Sequence, residues 1–154
     1  MTKALGLSPV ARFAGLAPLF VRVILGVIMT AHGWQKLSQM GPAGFGQVLG
    51  QMGVPLPGLM GFVVTFVELV GGLLLIVGLL SRLAALLLTI DLAVATLLVK
   101  VNVGLIAPEG AGAGAELDLA LIAGLLVILL AGPGKLSLDH ALGLEKDAVE
   151  ERTA

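Results

Sequence analysis

The sequence predicts an all-α fold, a polytopic membrane four-helix bundle with a short interfacial helix between spans one and two. Three observations predict it. Apolar stretches at 17–34, 59–80, 83–99 and 117–131 fill most of the 154 residues, and about 20 helical residues cross a hydrocarbon core ~30 Å thick. Hydrophobic residues make up 58% of the chain and charged residues 12%, against roughly 45–50% and 25% in soluble domains. The stretches also lack the polar outer face that a helix on a water-soluble core requires.

Taken in order, residues 1–15 form a cytoplasmic N-terminal lead, 16–140 the four-span domain and 141–154 a polar C-terminal tail. Lys3 and Arg12 precede the first apolar run much as in a signal peptide. The run is longer than a signal core of roughly 7–15 residues and ends without a small-x-small site, so it is expected to stay as span one, closed by Trp34. In 42–52, Phe45, Val48, Leu49 and Met52 fall at i, i+3, i+4 and i+7, the spacing of one helix face. Pro42 suits its first turn, Gly53 its cap, and Pro55 and Pro57 its stop. It is too short to span, so it lies along the interface or tucks back into the bundle. Only Ser81 and Arg82 separate spans two and three, which makes them an antiparallel hairpin. A Gly/Ala-rich loop at 108–114 leads into span four, Gly132-Pro133-Gly134 ends it, and Ser137 is placed to cap a short turn before Gly143.

Four spans put both termini on one side, with Lys3, Arg12, Arg82, Lys135, Lys146 and Arg152; the other side holds Lys36 and Lys100. The positive-inside rule then sets both termini in the cytoplasm of a multi-pass inner-membrane protein.

The charge pattern narrows the function classes. A net charge of -1 without a basic run argues against nucleic acid. With no cysteine, thiolate catalysis, disulfides and Cys-ligated clusters are excluded in this chain. The two histidines, His32 and His140, are expected on opposite sides, so no metal site is expected. No phosphate loop or nucleophile–base pair has a recognisable spacing.

The ionisable groups fall in two layers. Glu68 and Asp91 lie near the middles of spans two and three, with Arg22 ~6 Å nearer the cytoplasm by helical rise. Charged groups at such depth face a helix, a cavity or a partner. Arg22 is therefore expected to form a buried charge network with Glu68 and Asp91, either locking helix register or, with one surplus carboxylate, leaving Glu68 or Asp91 protonated as a proton relay or a donor to a bound carbonyl. Nearer the outer end lie His32, Lys36, Lys100, Glu116 and Asp118. His32 and Lys36 share a helix face, and Gly33 beside them admits a backbone or a ligand. Either they cap an interface or they offer a cationic edge with Glu116 or Asp118 as counter-charge. Glu116 and Asp118 are two residues apart, so one of them looks inward.

The ordered segments His32-Gly33-Trp34-Gln35-Lys36, Gly53-Val54-Pro55, Val67-Glu68-Leu69-Val70-Gly71-Gly72, Gly78-Leu79-Leu80-Ser81-Arg82 and Gly132-Pro133-Gly134-Lys135-Leu136-Ser137-Leu138-Asp139 resemble the DoxX family of small four-helix membrane proteins, over about residues 16–140. Asp91, in a helix that is usually apolar in the family, and Lys100, where many relatives carry histidine, depart from the pattern. The resemblance implies a membrane subunit of a redox complex, quinone-linked or serving sulfur or oxidative stress, that anchors a soluble redox protein. It implies no covalent cofactor and a quinone as ligand. His32, Lys36, Glu68 and Glu116 are the candidate ligand-binding residues, Arg82 marks the cytoplasmic hairpin, and a homo-oligomer stays open. Two other functions stay open as well: a solute or proton transporter, and a structural or lipid-binding scaffold.

Overall fold

The computed structural model describes residues 13–109 and 112–145. Most of the expected N-terminal lead and C-terminal tail, with Lys3, Arg12, Lys146 and Arg152, lies outside the described residues. A 3₁₀ turn, Ala14–Leu16, leads into α1 (Ala17–Gln35), which continues through a π-helical turn, Lys36–Met40. Then come α2 (Gly41–Gln51), α3 (Pro57–Val77) and α4 (Ser81–Ala95), which ends in a second π turn, Thr96–Lys100. Helices α5 (Ala115–Ala131) and α6 (Leu138–Ala141) complete the described chain, which holds no strand.

Local chemistry sets these boundaries. Gly41, at φ 67°, breaks the run between the first π turn and α2, a conformation open to glycine because it has no Cβ. Pro18, Pro42 and Pro57 sit in the first turns of α1, α2 and α3, where a missing N–H costs nothing. Pro57 thus opens span two rather than merely stopping the helix before it. That span ends at Val77, three residues short of the expected 80, because Gly78 turns left-handed (φ 73°) and its N–H bonds Leu74 O at 2.9 Å. Ser137 caps α6 as expected, its Oγ accepting from His140 N at 3.2 Å.

Helices α1, α3, α4 and α5 close a ring in which α1 packs on α3 and α5, α3 on α4, and α4 on α5; α2 rests on α3. Small and medium residues fill the centre, among them Ala84, Ala85, Leu88, Leu125 and Ile128. The phenylalanines Phe20, Phe62 and Phe66 point outward, with Ile24 and Ile90. Such an apolar exterior suits lipid and not water. Close approach does the holding between α1 and α3: a methyl added at Gly72 would lie 2.5 Å from Thr30 N, and one at Gly26 would lie 2.7 Å from Gly72 O. Small residues at helix contacts serve this purpose where no hydrophobic force draws helices together.

Three helical runs are long and apolar enough to cross a membrane: the run containing α1, then α3, then α4 with its π turn. Helix α5 has 17 residues, the lower end of the roughly 17–25 that can span. The chain is a membrane protein in contact with the bilayer.

Candidate functional site

The end of the bundle where α3 turns into α4 is tied together by charges aimed at backbone. Arg22 is 2% exposed. Its Nη1 donates to Leu75 O at 2.8 Å and Ile76 O at 2.5 Å, and its Nη2 donates to Leu136 O. These are carbonyls of the last turn of α3 and of the loop after α5, where a cation meets unpaired acceptors and the negative end of the helix dipole. Arg82 does the same for α5, with Nη1 on Leu129 O and, at 3.2 Å, Leu130 O, and Nε on Glu145 Oε1 at 2.5 Å. Asp139 serves the opposite pole. It accepts from Leu80 N at 2.6 Å and Ser81 N at 2.8 Å at the start of α4, holding Leu80 in a left-handed conformation at φ 48°.

Arg22 therefore does not join Glu68 and Asp91, and the expected three-residue network is corrected to a pair of carboxylates without the arginine. The cause is side-chain direction. A Cα–Cβ bond tilts toward its helix N-terminus, so Arg22 on α1 leans toward the hairpin end, whereas Glu68 on antiparallel α3 leans the other way.

That other direction leads to a cavity of about 300 Å³ lined by residues from α1 through α5. Met29, Leu49, Met60, Val64, Leu92 and Leu121 supply apolar wall. Every ionisable side chain that lines it is one of six: His32, Lys36, Glu68, Asp91, Lys100 and Asp118. Lys36, in the first π turn, donates to Glu68 Oε2 and lies 5.2 Å from the centre of the Phe45 ring, a cation–π distance. Lys100, in the second π turn, donates to Asp118 Oδ1 at 2.7 Å, and Thr96 Oγ1 donates to Asp118 Oδ2 at 3.0 Å. His32 stands within electrostatic reach of Glu68. Asp91 faces the same space and has no hydrogen bond or ion pair among the described residues. π turns inserted in α-helices recur at functional sites; here each ends a helix with a lysine that leans back into the bundle.

Of the candidate ligand-binding residues, His32, Lys36 and Glu68 meet in this cavity and Glu116 does not. Glu116 is exposed and turns onto its own helix start, its Oε1 accepting from Gly114 N at 3.2 Å. Asp118 takes the inward place. The sequence carried that signal: Asp118, Leu121, Leu125 and Ile128 repeat at three- and four-residue steps and are all buried, and Glu116 lies off that stripe. Lys100, expected in the outer layer but not among the candidate ligand-binding residues, belongs to the site as the partner of Asp118. Among the described residues no group of three or more His, Cys, Asp or Glu is arranged to hold a metal ion.

Fold and site together define a small polytopic helical membrane protein with an ionisable cavity inside an apolar bundle. Residues 17–101 match the DoxX family profile, and the chain belongs to the DoxX family. It is 32% identical over 142 residues to the uncharacterized membrane protein Rv3486 of Mycobacterium tuberculosis, covering 86% of this chain and 85% of that one. It is also 32% identical over 124 residues to CatD of Bacillus subtilis, provisionally named an oxidoreductase, covering 80% of this chain and 85% of that one. No solved structure gives a significant match.

Proposed function

We propose that this protein is the membrane subunit of an oxidoreductase complex and that its cavity takes the polar head of a quinone. One observation carries the proposal: an apolar-walled cavity of about 300 Å³ inside the helical bundle concentrates two lysines, a histidine and three carboxylates. Volumes near ~300 Å³ begin the range of small-ligand pockets, which are mostly apolar with a few convergent polar groups. A quinone head is an apolar ring with an acceptor oxygen at each end. Lys36 has three N–H donors and gives one to Glu68, which leaves donors for such an oxygen, and His32 lies beside it. Reduction takes up two electrons and two protons. Glu68, paired to Lys36, can exchange the protons; the electrons come from a soluble redox protein held by the complex, since the sequence offers no cysteine for thiol chemistry. The provisional name of the Bacillus subtilis relative, an oxidoreductase, supports a redox setting. The excess of Lys and Arg on the side of the termini supports an inner-membrane protein with both ends in the cytoplasm. A transport path through Arg22, Glu68 and Asp91 loses its first member, since Arg22 bonds backbone at the other end.

The test is partner-dependent quinone reduction in membranes. The double variant His32→Ala/Glu68→Gln is expected to lose at least tenfold in rate while staying assembled with its partner. Full activity in that variant would overturn the quinone site.

A further inference from the structure

The cavity has an open side. Helix α2 rests on α3, the facing wall is α4 with its π turn, and the rim between them is half out of the protein. Met52 is 50% exposed, Val94 46% and Leu98 45%, and all three also line the cavity. All three are apolar. Val94 lies about 20 Å along α4 from Ser81 at the helical rise, within a hydrocarbon layer ~30 Å thick. At that depth Val94 meets lipid chains and not water.

Inside, one polar group is unmatched. Lys36 holds Glu68, and Lys100 with Thr96 holds Asp118. Asp91 has no partner among the described residues. Three carboxylates face two ammonium groups, and an ionised carboxylate only accepts hydrogen bonds. Asp91 is thus the one carboxylate of the cavity that no donor reaches among the described residues.

We propose that the cavity admits an amphiphile sideways from the bilayer, its apolar chain lying between Met52, Val94 and Leu98 and its head donating an O–H hydrogen bond to Asp91. This rests on the cavity being the ligand site and adds a direction to it: a hydroxyl-bearing, reduced head binds in preference to the carbonyl form. A carbonyl set against an ionised Asp91 brings two acceptors together with no proton between them.

The protein in nanodiscs, titrated anaerobically by calorimetry, tests this with three probes: a decyl-substituted benzohydroquinone, its quinone, and benzohydroquinone without a tail. The tailed hydroquinone is expected to bind at least tenfold tighter than the quinone. Asp91→Leu should lower hydroquinone affinity on the order of tenfold or more, the scale of a hydrogen bond to a charged group, and leave the quinone unchanged. Val94→Trp, at an exposed position that leaves the core intact, should weaken the tailed probe and spare the tail-less one. Equal affinity for the two oxidation states, or equal losses in Asp91→Leu, would overturn the role of Asp91. Unchanged binding of the tailed probe in Val94→Trp would overturn side entry. Binding of none of the three would overturn the cavity as a quinone site and this inference with it.

Discussion

At the hairpin end, Arg22, Arg82 and Asp139 all reach backbone, the last carbonyls of α3 and α5 and the first N–H groups of α4, with Arg82 also paired to Glu145. At the cavity end, Lys36 and Lys100 reach the side chains of Glu68 and Asp118. Backbone partners cannot move or change protonation, so charges spent on them close an end permanently. Carboxylate partners can exchange a proton or release a lysine to a ligand. The sequence splits along the same line. Gly78–Arg82 and Gly132–Asp139 build the sealed end, while His32, Lys36 and Glu68 build the open one. Charge in this bundle thus does two jobs, and only one of them needs a ligand to explain it.

The sharpest way to break this comparison is to remove one charge at each end and compare the losses. Arg22→Met removes a donor from Leu75 O, which keeps Gly78 N, and strands the carbonyls of Ile76 and Leu136. The expected loss is about 2–5 kcal/mol, from buried acceptors that cost about 1–3 kcal/mol each when left unpaired, read as thermal unfolding in detergent. Ligand binding by whatever protein stays folded should be unchanged. A mild loss would mean that the hairpin end is not held by this arginine.

Lys36→Met is expected to cost less, about 1–2 kcal/mol, because Glu68 is left facing a cavity that can hold water rather than a sealed core. Adding Glu68→Leu should recover most of that loss, since an apolar pair can replace an ion pair at little cost. Quinone-linked activity should stay lost in the double variant. Stability that fails to return would mean that this pair locks the fold, as the arginine does, and the two ends would no longer differ in kind.

The same contrast explains what the sequence could and could not disclose. The spans were legible because lipid demands continuous apolar helices, and the α3–α4 hairpin because two residues leave room for nothing else. That Glu68 and Asp91 face the interior was legible from the expense of charge at that depth. The pairing of Arg22 was not read correctly, because spacing gives a face of the helix but the tilt of the side chain decides which end it reaches. The two π turns left no mark in composition, yet they hold both cavity lysines. Asp91 facing the cavity without a partner emerges only when α4 is packed against α3.

The smallest effect separates two carboxylates on one helix start. Glu116 accepts from Gly114 N and is exposed, so Glu116→Ala should cost about 0.5–1 kcal/mol, as lost helix-end interactions do, with binding unchanged. Asp118 is 4% exposed and holds both Lys100 and Thr96. Asp118→Asn keeps the shape but removes the charge opposite Lys100, freeing that ammonium to turn into the cavity, so it should alter ligand affinity more than it alters stability. Measured side by side, the two variants ask whether position on the buried stripe, rather than closeness in sequence, decides which acid serves the site. If Glu116→Ala moved affinity as far as Asp118→Asn, the loop before α5 would have to fold over the cavity, and the open end would reach further than the six ionisable residues that line it.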